Sequence, residues 1–143
     1  LFYTSLANSK DETLTALAAK SLKEVKYHLR HSSNWLIRLG DGTEESNKKV
    51  QDSLNDIWQF TGELFEMDKL DTELLNRGIA VDNASLKEDW DTIVNNTLSQ
   101  AKLTRPEDAY MATGGKKGMH TEYLGFILAE MQFLQRAYPD AKW

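Results

Sequence analysis

Residues 9–43 read SKDETLTALAAKSLKEVKYHLRHSSNWLIRLGDGT, and the class of the fold turns on them. Ser9-Lys10-Asp11-Glu12 has the S-x-x-E spacing of a capping box, with two carboxylates at the positive end of the helix it would open. Leu14, Ala18, Ser21, Val25, His28, Ser32, Trp35 and Leu39 then recur at alternating steps of four and three, and Leu17, Leu22, Leu29 and Leu36 widen that face. The spacing predicts one long amphipathic helix from about Asp11 to Leu39. Gly40-Asp41-Gly42 ends it, because glycine accepts the left-handed conformation of a helix C-terminus. The connection to Thr43 is short, so the next helix must return antiparallel beside the first.

That second helix is expected from about Glu44 to Glu66, with Thr43 as N-cap. Its inward face would be Val50, Leu54, Ile57, Trp58, Thr61, Leu64 and Phe65. A short helical turn near Thr72–Asn76 would stop at Arg77-Gly78, and residues 79–83 read as an extended link. A second S-x-x-E, Ser85-Leu86-Lys87-Glu88, would open a third helix with Leu86, Trp90, Ile93, Val94, Thr97, Leu98 and Ala101 on one face. The last helix runs from about Thr121 to Tyr138, presenting Leu124, Ile127, Leu128, Met131, Leu134 and Tyr138, and Pro139 closes it. No strand of useful length is legible, so the class is all-α.

The chain has 143 residues, a length for one domain. Hydrophobic residues make up 41%, enough for a packed core and too many for a disordered chain. The net charge of −5 argues against a nucleic-acid surface. No apolar run approaches the roughly 18 residues of a membrane span. With no Cys, thiolate metal sites, cysteine nucleophiles and disulfides are excluded. No secretory leader is recognisable, and Leu1-Phe2-Tyr3-Thr4-Ser5-Leu6 looks like the end of a helix already under way. The expectation is therefore a piece of a longer intracellular protein.

Glu24 and His28 share a helix face at a spacing of four. Di-iron carboxylate bundles use Glu-x-x-His pairs, whereas this pair is Glu-x-x-x-His, with Tyr27 where the shorter spacing would need His. A hydrogen-bonded core histidine, a degenerate former metal site and a working site are the three readings. On the second helix Asn55 and Trp58 hold the places of an acid-x-x-His pair, and neither is a metal ligand. His31 and His120 stand too far from other ligand types to argue for a set. Gly114, Gly115, Lys116, Lys117 and Gly118 could cradle an anion through backbone amides and two ammonium groups, yet the loop lacks P-loop spacing and a preceding strand. A solvated linker and a docking loop for an acidic partner are the other readings. No G-x-S-x-G elbow supports nucleophilic catalysis.

Several stretches resemble one family: residues 23–30 (KEVKYHLR), 35–43 (WLIRLGDGT), 58–65 (WQFTGELF), 113–125 (TGGKKGMHTEYLG) and 128–132 (LAEMQ). The chain is similar, over nearly its whole length, to the C subunits of bacterial phenylacetyl-CoA oxygenases, the ring 1,2-epoxidases. The tail is the most specific part, since a helix has no generic need for that glycine–lysine loop and the His-Thr-Glu that follows.

The resemblance implies a ferritin-like four-helix bundle, of which residues 1–143 would be the C-terminal, N-terminally truncated portion with long antiparallel helices. It implies roughly a hundred more residues before Leu1, holding the first bundle helices. It further implies a non-catalytic structural subunit in the cytoplasm. A homologous catalytic subunit would carry the di-iron centre and bind the CoA thioester in aerobic phenylacetate degradation. No catalytic residue, metal or cofactor is then expected in this chain, and Glu24 and His28 become vestiges of a lost site, in a polar or ion-paired interior. Gly114, Gly115, Lys116, Lys117, Gly118 and His120 become candidates for contact with the partner or with CoA. The competing expectation is a di-iron oxygenase subunit with its own metal site. Trp35, Trp58, Trp90 and Trp143, with Phe60, Phe65 and Phe126, suit a large packing surface. Apolar helix faces without mates are expected to drive homo-oligomerisation. Neither nucleic acid nor membrane is an expected partner.

Overall fold

The long helix forms as its pattern demands, and its length governs the rest. A computed structural model describes residues 1–142, so that Trp143 lies outside them. Its α-helices are α1 (Phe2–Leu6), α2 (Glu12–Gly40), α3 (Glu44–Trp58), α4 (Lys69–Asn76), α5 (Lys87–Gln100) and α6 (Tyr123–Ala137). Single 3-10 turns occupy Gly62–Phe65, Ala84–Leu86 and Gly115–Lys117. No strand occurs among the described residues, and no helix among them is long and apolar enough to cross a membrane. The all-α class is thus present, in keeping with the ferritin-like fold that the resemblance implies. Contacts divide the chain into two compact units, Leu1–Ala112 and a second that begins at Thr113.

In the first unit α2 spans two separate cores. Near its start Ala18 packs with Leu6 and Val81, flanked by Tyr3, Leu14 and Leu86. Near its end Leu36 and Ile37 pack on Trp58, Leu98, Ala101 and Leu103. Between these cores residues 23–32 are exposed on every side. The expected stripe is corrected accordingly: Val25, His28, Ser32, Trp35 and Leu39 face solvent rather than a core. The reason is reach. A 29-residue helix is about 43 Å long, and the 15-residue α3 that returns along it covers about 22 Å.

Three helix ends also differ from expectation. Asp11, not Ser9, caps α2 by accepting the Leu14 N–H at 3.0 Å. Ser9 is drawn elsewhere: its hydroxyl donates to the Ile79 carbonyl at 2.8 Å, closing the 78–81 link onto the helix start. Lys87 opens α5 with no side-chain cap; the 3-10 turn before it is fastened instead by Asp82, which accepts the Ser85 N–H at 3.2 Å. α3 stops at Trp58 rather than Glu66, because the Thr61 hydroxyl takes up the Trp58 carbonyl at 2.8 Å and the chain tightens into 3-10 bonds. Ile57 and Leu64 consequently turn outward. The Thr43 cap forms as expected, with Ser46 returning the bond.

The second core is sealed where α2 meets the end of α5. Gly40 and Ala101 are both buried and lie against each other, so a Cβ on Gly40 would overlap the Ala101 carbonyl oxygen and stand 2.9 Å from the Ala101 Cβ. Lys102 follows in the left-handed region at φ 54°. Its carbonyl accepts from Asn47 at 3.2 Å and its ammonium pairs with Asp41, contacts that offset the conformational cost. Leu103 N–H bonds the Leu98 carbonyl at 3.0 Å, completing a helix stop with lysine where glycine is usual.

Residues 103–112 then run as a strap across α3 and α5. Gln51 and Thr104 exchange two hydrogen bonds, at 2.8 and 2.9 Å. The Trp58 indole N–H donates to Asp108 at 2.8 Å, while the Arg105 guanidinium lies 5.0 Å over the same ring. Arg105 also pairs with Asp91 at 2.9 Å, and Lys87 meets Asp91 at 2.7 Å from one helical turn away. The strap ends with the Ala112 N–H on the Gln59 carbonyl at 2.8 Å. The Lys87 hydrogen bond holds the Asp91 carboxyl below its usual value; Arg105 adds to this by hydrogen bonding and charge, against a desolvation that acts the other way.

Gly40→Ala should destabilise the chain by about 2 kcal/mol or more, because backbone rather than a yielding side chain must move. Chemical denaturation would show this as a lowered midpoint at unchanged slope. Asp91, whose folded form favours the carboxylate, stabilises the chain above its ordinary value of about 3.9 and loses that contribution as pH falls through the lowered folded value. Asp91→Asn should therefore cost about 1 kcal/mol at pH 7 and flatten part of the stability loss as pH falls below about 4. Thermal melts across that range measure both effects.

Candidate partner-docking surface

Glu24 and His28 lie on the middle of α2, where neither core reaches. Glu24 Oε1 stands 3.7 Å from His28 Nε2, with the side chains 74% and 63% exposed. The polar interior expected around them is corrected to open solvent. Asn55 accepts from Gln51 at 3.0 Å, and Trp58 is spent on the second core. No group of three or more His, Asp or Glu residues close enough to hold a metal occurs among the described residues. A di-iron centre needs several carboxylates and histidines converging on one point. The described residues bring no such set together.

The same stretch of helix carries a feature that residue-by-residue reading misses. Tyr27, His31 and Trp35 recur every four residues and touch ring to ring, Tyr27 stacked on His31 at 5.9 Å and His31 edge-on to Trp35 at 6.4 Å. Arg30 lies 5.6 Å from the Tyr27 ring centre and Arg38 5.7 Å from that of Trp35. An open groove of about 420 Å³ is lined there by His31, Asn34, Trp35, Ile37 and Arg38. Spacing alone could have found this ladder, since i, i+4 places neighbours on one face. Weighed singly, as a metal ligand, His31 gives no sign of it.

From Lys20 to Arg38 the helix carries five Lys or Arg against one Glu, on a chain whose net charge is −5. The ladder is thus an exposed, rigid, aromatic and cationic strip. Tyr, Trp and Arg are the residue types that contribute most at protein interfaces, because they bring large contact area at small entropic cost.

In the second unit the glycine–lysine loop folds as a tight turn. Gly114 and Gly118 adopt positive φ of 97° and 83°. A Cβ on Gly114 would stand 2.9 Å from the Met119 sulfur. Lys117 N–H donates to the Gly114 carbonyl at 2.8 Å, Gly118 N–H to that of Gly115 at 3.2 Å, and Met119 N–H to that of Gly114 at 3.0 Å. These three amides are engaged within the loop. Both lysines and His120 are exposed. Gly115 belongs to the short 3-10 turn between the two positive-φ glycines.

Comparison with known proteins gives this surface a context. A family model described as "Phenylacetic acid catabolic protein" matches residues 1–143. Over 141 residues, 99% of this chain, the sequence is 48% identical to the C subunit of the 1,2-phenylacetyl-CoA epoxidase of Escherichia coli (strain K12). The chain spans 57% of that relative's length. With every residue inside the matched region, the chain belongs to the phenylacetic acid catabolic protein family.

Proposed function

We propose that this chain is part of a non-catalytic structural subunit of a phenylacetyl-CoA ring epoxidase acting in aerobic phenylacetate degradation in the cytoplasm. The observation that carries this reading is the 48% identity, along 99% of the chain, with the C subunit of such an epoxidase. Asn55 and Trp58 stand where a second acid-x-x-His pair would, and neither side chain is a metal ligand, which supports the non-catalytic part. In this reading the di-iron centre and the thioester-binding site belong to a homologous catalytic subunit. This chain holds that subunit's helices in working geometry by offering a rigid face to pack on.

Two surfaces serve that role. The Tyr27–His31–Trp35 ladder supplies apolar area flanked by Arg30 and Arg38, suited to an acidic and aromatic partner face. The Lys116–Lys117 turn adds positive charge, and Gly114, Gly115, Gly118 and His120 set its shape and flank it. The lysines steer the partner, or the phosphate end of its CoA ester, more than they add raw affinity.

Changing Lys116 and Lys117 together to Glu should weaken association with the catalytic subunit about tenfold, and more at low salt than at high. Co-purification and epoxidase turnover of the reconstituted complex measure this. Unchanged binding and turnover would remove the loop from the interface. Stoichiometric iron in the chain purified without partners would replace the structural reading with a di-iron oxygenase subunit.

A further inference from the structure

Helix α6 has no buried residue, although most of its side chains are apolar. Phe126, Met131 and Phe133 are each about two-thirds exposed, at 65%, 70% and 64%. Apolar surface of this extent on one helix marks a face that another element covers. One of its faces has an unusual property. Glu122, Gly125, Ala129, Phe133 and Arg136 recur at steps of three and four, so they form one stripe. About Ala129 that stripe is its own complement when reversed. Glu122 and Arg136 stand seven residues on either side of Ala129, and Gly125 and Phe133 stand four on either side.

We propose that α6 pairs antiparallel with the α6 of a second copy of this chain, on a two-fold axis through Ala129. Each Glu122 then meets the partner's Arg136, giving an ion pair at both ends. Phe133 of each copy enters the partner's Gly125 notch, where a Cβ would find no atom within 4 Å. Ala129 at the centre lets the helix axes approach closely. Reversal of direction also sets the two helix dipoles against each other favourably. The face across the helix, with Leu124, Ile127 and Met131, has no charged residue at its ends to select an orientation. Two helices about 22 Å long with side chains of this size bury on the order of 1,000 Å² in total, the low end for a specific interface.

The absence of cysteine makes the test direct. In the full chain carrying Ala129→Cys, mild oxidation should give a disulfide-linked dimer, because the two Cβ atoms face each other across the axis. Met131→Cys, on the opposite face, should link poorly. By sedimentation equilibrium, Glu122→Arg or Arg136→Glu alone should raise the dimer dissociation constant about tenfold, and the two together should restore it to within about threefold. All four side chains are exposed, so the substitutions leave the two cores of the first unit untouched. A chain that stays monomeric at high concentration, a dimer that links through Met131→Cys instead, or single reversals that the double variant fails to rescue would each overturn the proposal. So would occupation of this face by a different subunit in a complex where no second copy is present.

Discussion

The Trp58 indole is the joint on which the first unit depends. It is 4% exposed, the largest side chain in the second core, and it sits where α3 gives way to a 3-10 turn. Its ring packs on Leu98, Ala101 and Leu103, its N–H is satisfied by Asp108, and Arg105 covers one face. A buried indole needs both an apolar bed and a hydrogen-bond partner. The strap from Leu103 to Ala112 provides the partner, and by doing so it is fixed in place. Asp91 then binds the same Arg105, so α3, α5 and the strap lock through one aromatic ring and a short run of charges. The chain therefore leaves the first unit from a defined point beside α3, at Ala112.

Around this joint the dominant fact is a mismatch of lengths. α2 is about twice as long as the helix that returns along it, and its neighbours cover only its two ends. The middle turns, from Lys23 to Ser32, are left to solvent, with Glu24 and His28 among them. An exposed amphipathic span of this length, with a ladder of rings and flanking guanidinium groups, suits a protein that works by being packed against. The same holds for α6, whose apolar surface exceeds anything the described residues of its own unit cover. The proposed structural role and the proposed pairing of α6 both follow from surface that the described chain does not bury.

Local rules read well from single residues. The Thr43 cap, the arrest of α4 at Arg77-Gly78 and the extent of α6 all depend on contacts within a few positions. α2 does end at Gly40, but not through the left-handed glycine expected there: Asp41 caps it at φ −89°, and Gly40 serves instead to let Ala101 approach. The TGGKKGMHTEYLG run, on which much of the family resemblance rests, folds as a local turn with two glycines at positive φ. Local reading fails where a side chain has a distant competitor. Ser9 gives no sign that it prefers Ile79 across 70 residues, nor Trp58 that it prefers Asp108 across 50. The end of α3 moves because the Thr61 hydroxyl and the Met111 side chain act there together. The candidate surface is half legible: the lysine turn is visible as composition, while the ring ladder needs side-chain directions.

The sequence alone determined the all-α class, the order of the main helices and the antiparallel return after Gly40. Each is set by periodicity or by residues adjacent in the chain, whose energies do not depend on what lies elsewhere. Only the tertiary structure decided which part of the α2 stripe is buried, why the glycine turn has its amides engaged, and how the strap is held. Those outcomes follow from a competition among distant groups for a small amount of apolar area and a few hydrogen bonds, and no local pattern records who wins it.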